Sequence, residues 1–122
     1  NPAETLFFAM VTKSNDAHNF VSDLYLSGVR NFVVSKMRSE WQVYNDANFL
    51  LVKDSLLALQ KLASYHRSQF DIPVIGITGS NGKTIVKEWL YQLLEENYNI
   101  VRSPRSFNSQ IGVPLSVWQL NV

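Results

Sequence analysis

Cysteine is absent from the 122 residues. That excludes a disulfide scaffold, a thiolate zinc site and a cysteine nucleophile, and it suits a reducing compartment. The two histidines give no zinc spacing without it. No apolar run approaches the roughly 20 residues that span a bilayer, and Asn1-Pro2-Ala3-Glu4-Thr5 lacks the basic start and apolar stretch of a signal peptide. A cytoplasmic protein with no membrane partner is the expectation. Charge of one sign is also lacking: eleven basic residues against ten acidic ones leave a formal charge of +1. The basic residues are spread along the chain and form no cluster that would track a nucleic-acid backbone, so no nucleic-acid partner is expected.

What is present is ordinary globular material. Hydrophobic residues make up 46% of the chain, enough to build a core. The aromatic residues fall mostly within apolar runs and read as packing groups, Trp89 and Trp118 included. Strand-like and helix-like segments alternate. Leu6 to Val11 is an uninterrupted apolar run, the pattern of a strand buried on both faces. Asn15 or Asp16 can cap a following helix with Phe20, Val21, Leu24 and Tyr25 on one face, and Gly28 suits the residue just past its end. Residues 31–35 read as a second strand, Trp41 and Tyr44 as anchors, and 48–52 as a third strand. Asp54 can cap a long helix to about Gln69, with Leu56, Leu59, Leu62 or Ala63, and His66 facing inward. Residues 74–78 read as a fourth strand. A helix follows over 83–97 with Val86, Trp89, Leu90, Leu93 and Leu94 inward, then a short strand over 100–102, a loop from Pro104, and a last helix from Pro114.

This alternation predicts an α/β fold of βαβ units with a largely parallel sheet. Asp71-Ile72-Pro73 is the expected boundary, giving domains over 1–71 and 72–122. About 50 residues after it are too few for the five or six strands of a complete nucleotide-binding sheet, so the chain reads as a fragment.

The segment Gly76-Ile77-Thr78-Gly79-Ser80-Asn81-Gly82-Lys83-Thr84 lies between an expected strand and an amphipathic helix. A nucleotide polyphosphate needs converging N–H donors, a mobile cation and a ligand for its magnesium. Glycines at 79 and 82 permit positive φ and close approach, so the N–H groups of Gly79, Ser80, Asn81 and Gly82 can face one concavity. The helix start adds its positive end. Lys83 is placed to reach the β- and γ-phosphates and Thr84 to ligate Mg²⁺, which makes ATP with Mg²⁺ the expected ligand. Strict phosphate loops carry glycine where Ile77 stands. The alternatives are a small-molecule kinase, a GTPase, for which no guanine-reading motif is found, or a fold unit without catalysis.

The run from Gly76 to Leu90 resembles the ATP-binding loop of the Mur ligases, in which the displaced glycine spacing is normal. Residues 106–115, Ser-Phe-Asn-Ser-Gln-Ile-Gly-Val-Pro-Leu, resemble a second stretch of that family, with Ser109 where its second Asn stands. Thr5 to Met10, Asp16 to Val21, Gly28-Val29 and Val33-Val34 are similar to the N-terminal domain of the member that adds D-Ala-D-Ala to UDP-N-acetylmuramoyl-tripeptide. Ala17 departs from the usual glycine before histidine. The resemblance implies a substrate-binding first domain, a truncated ATPase domain and amide formation through an acyl phosphate. In it Lys83 would be catalytic, Gly79, Ser80, Asn81, Gly82, Lys83, Thr84 and Asn108 would bind nucleotide, and Thr84 would hold Mg²⁺. Another Mur ligase is a further alternative, and the fragment alone is expected to be inactive. Residues 106–120 also look like forms fused to an alanine racemase, which would bring pyridoxal phosphate. His18 reads as making a local hydrogen bond, His66 as structural, Lys87 and Glu88 as a solvated face, and Arg102 and Arg105 as open candidates for a phosphate or carboxylate.

Overall fold

The computed structural model describes residues 1–104 and 107–121. Its α/β architecture comprises two compact units, Asn1–Leu59 and Gln60–Val122, and the division falls within a helix, ahead of the 71/72 boundary expected from sequence.

In the first unit three short strands, β1 (Leu6–Phe8), β2 (Asn31–Val34) and β3 (Asn48–Leu51), pair in parallel in the order β1-β2-β3. The register sets Phe7 beside Phe32 and Phe32 beside Phe49. One row of rings therefore crosses the sheet, with Phe7 edge-on to Phe32 at 6.3 Å and Phe32 stacked on Phe49 at 5.2 Å. Cross-strand aromatic pairs of this kind fix register as well as adding contact area. Trp41, in a 3-10 turn over Ser39–Val43, lies parallel to Phe49 at 5.4 Å. Ala9, Val21, Val29, Phe32, Val34 and Trp41 close this core.

β1 is shorter than the apolar run that predicts it. After the Ala9 N–H bonds to the Val33 carbonyl, the chain turns back through Thr12–Asn15, and Val11 pairs with Asp16 in an isolated antiparallel bridge. Asp16 then caps a 3-10 turn (Ala17–Phe20) that leads into α1 (Val21–Leu26), and Gly28 follows with φ of 103°. The Asp54 carboxylate accepts the Leu56 and Leu57 N–H groups, as a cap should, at the start of α2 (Ser55–Ser68). Leu59 and Ala63 on α2 are buried on the expected stripe.

The second unit is helical among its described residues: the end of α2, then α3 (Lys83–Leu94) and α4 (Gly112–Val117). Several expectations fail here. Neither residues 74–78 nor residues 100–102 form a strand, because a strand needs a hydrogen-bonded neighbour and neither segment has one among the described residues. The stripe on α3 is not inward: no residue of that helix is buried, and Trp89 is 62% exposed. Trp118 is likewise half exposed and packs against His66 at 4.5 Å instead of entering a core. Periodicity identifies an apolar face but does not supply what covers it. α3 also stops at Leu94, short of Asn97, and α4 starts at Gly112, ahead of Pro114.

Candidate functional site

The loop before α3 is built on two left-handed glycines, Gly79 with φ of 147° and Gly82 with φ of 78°. A side chain is strained at either angle, so the bend depends on glycine there. Gly82 is the residue that opens α3, and no side chain caps the helix. Among the described residues no acceptor takes the N–H groups of Gly79, Ser80, Asn81 or Gly82. Buried or not, a row of uncommitted amides at a helix start is a place where an anion is favoured, because the helix dipole adds to the donors.

The Lys83 ammonium folds back over this loop and donates to the carbonyls of Gly79 and Ser80, the latter at 3.3 Å. Neutral carbonyls are weak partners for a full charge, so the ammonium can exchange them for a phosphate oxygen at little cost. Ser80, Asn81, Gly82, Lys83, Thr84, Ile85 and Asn108 line one open cavity of about 370 Å³. Every residue expected at the nucleotide site except Gly79 thus faces a shared space, and Gly79 joins it through its bond to Lys83. The Thr84 hydroxyl and the Asn108 amide have no hydrogen-bond partner among the described residues, so both are available to a ligand. A hydroxyl at the helix start suits a hard cation such as Mg²⁺, which takes oxygen donors.

Asn108 is presented by a tight turn. The Ser109 hydroxyl accepts the Gly112 N–H at 2.9 Å, the work of a helix cap, which a hydroxyl does as well as an amide. A Cβ on Gly112 would meet Phe107 Cα at 3.1 Å and Cβ at 3.0 Å, so the turn has no room for a larger residue.

Arg102, Lys87 and Glu88 depart from expectation. Glu88 pairs with both Lys87, at 3.2 Å, and Arg102, and the Arg102 guanidinium sits 3.7 Å from the Tyr91 ring centre. Lys87 donates to the Ser103 carbonyl at 2.7 Å. Lys87 and Glu88 therefore anchor the 102–103 segment from a face that is still partly solvated, and Arg102 is committed to Glu88. Sequence reasoning missed this cluster; the only local signal is that Glu88 and Tyr91 share a helix face. Arg105 lies outside the described residues. His66 Nε2 lies 2.9 Å from the Leu120 carbonyl, to which its N–H donates, a structural role.

In the first unit Asp16, His18 and Ser35 form a line that invites comparison with a nucleophilic triad. His18 is buried, with Nδ1 at 2.6 Å from Asp16 Oδ1, while Ser35 Oγ is 3.3 Å from Nε2. The Ser35 backbone N–H, however, donates to Nε2 at 3.0 Å. A backbone amide can only donate, so Nε2 is the unprotonated nitrogen and its lone pair is already used. The imidazole ties loop to strand and cannot serve as a base. Asp16 also accepts from Lys36 at 2.6 Å, and the Lys36 ammonium, with His18, holds its carboxyl far below the usual carboxylate range.

Comparison with known proteins finds similarity to one family. Residues 77–121 match the family model described as the Mur ligase middle domain. UDP-N-acetylmuramoyl-tripeptide–D-alanyl-D-alanine ligases are similar over nearly the whole chain: that of Buchnera aphidicola (subsp. Baizongia pistaciae) is 37% identical over 95% of it, and that of Bacillus subtilis 36% over 92%. The chain is thus similar to Mur ligases along nearly its whole length. The MurF ligase of Thermotoga maritima, solved in complex with ADP, superposes with a TM-score of 0.79 at 31% identity over 96% of the chain, and the UDP-N-acetylmuramoylalanyl-D-glutamyl-2,6-diaminopimelate–D-alanyl-D-alanyl ligase of Acinetobacter baumannii with 0.85 at 29% over 99%. The chain spans about a quarter of the length of these relatives, 25% and 24% of the two curated proteins and 27% of each of the two solved ones.

Proposed function

We propose that the protein carrying this chain is an ATP-dependent ligase that joins D-Ala-D-Ala to UDP-N-acetylmuramoyl-tripeptide in peptidoglycan precursor synthesis. In this reading residues 1–71 belong to the domain that binds the nucleotide-sugar peptide, and residues 72–122 open the ATP-binding domain. The observation that carries it is the loop of uncommitted N–H groups at Gly79–Gly82, with Lys83 across it and Asn108 on the same cavity. The names of the relatives supply the substrates. A nucleotide-consuming role fits the cytoplasm, and among the described residues no helix is long and apolar enough to cross a membrane.

Phosphoryl transfer asks a protein mainly for positioning and charge neutralisation. The N–H groups of Gly79 to Gly82 would hold polyphosphate oxygens. Lys83 would follow the transferring phosphoryl group with its charge, leaving the Gly79 and Ser80 carbonyls. The tripeptide carboxylate would attack the γ-phosphorus of ATP, releasing ADP and leaving an acyl phosphate, and the amine of D-Ala-D-Ala would then displace phosphate from it and lose a proton to form the amide. Thr84 would be the chain's contribution to holding Mg²⁺, which when bound offsets charge on the phosphates. The racemase likeness gains no support from the relatives' names, and pyridoxal phosphate enters no step.

The test is phosphate release by the full-length protein. Release should require ATP, UDP-muramoyl-tripeptide and D-Ala-D-Ala together; release indifferent to both co-substrates contradicts a ligase. The 122-residue chain alone should release none.

A further inference from the structure

Helix α3 carries two functions on one rigid rod. Its first residue is Lys83, and one turn later it carries the groups that grip residues 102 and 103. Lys87 donates to the Ser103 carbonyl at 2.7 Å. Glu88 pairs with Arg102, whose guanidinium lies over the Tyr91 ring at 3.7 Å from its centre. Glu88 and Tyr91 are three residues apart and so share a face of the helix, which leaves Arg102 held between a carboxylate and an aromatic ring. The grip is passed on through the backbone: the Phe107 N–H donates to the Pro104 carbonyl at 3.2 Å, Phe107 abuts Gly112, and between them Asn108 lines the cavity with Lys83 and Thr84.

We propose that Glu88 and Arg102 are positioning residues that clamp the 102–104 segment to α3 and thereby set where the Asn108 amide stands against the phosphate loop. The proposal rests on the reading that this cavity takes a nucleotide. The clamp ties Asn108 to the same helix that begins with Lys83, so the two groups keep their separation when either segment moves. A planar guanidinium suits the place because it can pair with a carboxylate and stack on a ring at once, whereas an ammonium keeps only the charge.

The experiment measures MgATP affinity and the number of binding sites per chain in the full-length protein. The variants are Arg102→Ala, Arg102→Lys, Glu88→Gln, Asn108→Ala and the Arg102→Ala/Asn108→Ala double. Arg102→Ala and Glu88→Gln should each weaken MgATP about tenfold with the site number unchanged, Arg102→Lys should recover part, and Arg102→Ala should add nothing on top of Asn108→Ala. Wild-type affinity with fewer competent sites would mean a folding role only and would overturn the proposal. Additive effects in the double variant, or wild-type affinity in both Arg102→Ala and Glu88→Gln, would overturn it as well. Lys83→Ala separates the two layers. If it weakens binding while Arg102→Ala does not, the clamp alone is wrong; if it too leaves affinity unchanged, the nucleotide reading has failed.

Discussion

The two units handle their apolar residues in opposite ways. In Asn1–Leu59 a row of three phenylalanines across a paired sheet is closed by Trp41, Val21 and Ala9, and the large core groups are sealed from water. In Gln60–Val122 the apolar run at Val74 and Ile75 has no strand partner among the described residues, and the apolar stripe of α3 faces outward. Stability concentrates where apolar groups find partners, whereas in the second unit the proposed chemistry falls to the polar and glycine residues of one loop. A strand made to feed a phosphate loop needs a sheet around it, and the first unit has such a sheet within itself.

The sharpest way to break this comparison is at Trp41. Trp41→Ala should destabilise the first unit by about 3–5 kcal/mol, the usual loss for a large core aromatic, measured by urea unfolding with amide exchange on residues 1–59. Its indole N–H is buried with no partner among the described residues, so Trp41→Phe should cost far less; equal losses would mean that the N–H makes a bond that stabilises the core. In the second unit Gly112→Ala must push Phe107 aside, at a cost of about 1–3 kcal/mol for overpacking, seen as a lowered thermal midpoint and a shifted Asn108 signal. A neutral result would make the turn around Asn108 softer than its contacts imply.

Acid should separate the units next. Asp16 is held well below its ordinary value of 3.8 by Lys36 and then His18. A carboxyl depressed in the folded state contributes stability above its unfolded pKa and loses it as pH falls from there toward the folded value. The first unit should therefore weaken below about pH 4, and Asp16→Asn should flatten that dependence in a pH series of unfolding midpoints. The smallest effect belongs to Trp89→Ala, which should change stability of this chain by no more than about 0.5 kcal/mol, as for an exposed position.

How much of this was legible in the sequence depended on whether the deciding contact was local. The Asp16 and Asp54 caps, the β2 and β3 strands and the burial of Trp41 follow from residues a few positions apart. The glycine bend and Lys83 were legible for the same reason, since loop and helix start are adjacent in the chain. The Phe7-Phe32-Phe49 row required the register, which no single strand states. The Glu88–Arg102 pair joins two segments that periodicity treats separately, so Glu88 read as solvent-facing. Residues 74–78 and the α3 stripe failed in the opposite sense: their patterns are those of buried elements, but a pattern cannot supply the neighbour that buries it.

The central claim is that the Gly79–Thr84 loop binds a nucleotide polyphosphate, and calorimetric titration of MgATP into the full-length protein and its Lys83→Ala variant tests it most directly. One site per chain should be seen, with the variant weaker by about 1.5–3 kcal/mol, the worth of a charge-assisted contact. Equal affinity in the two proteins, both folded, would contradict it.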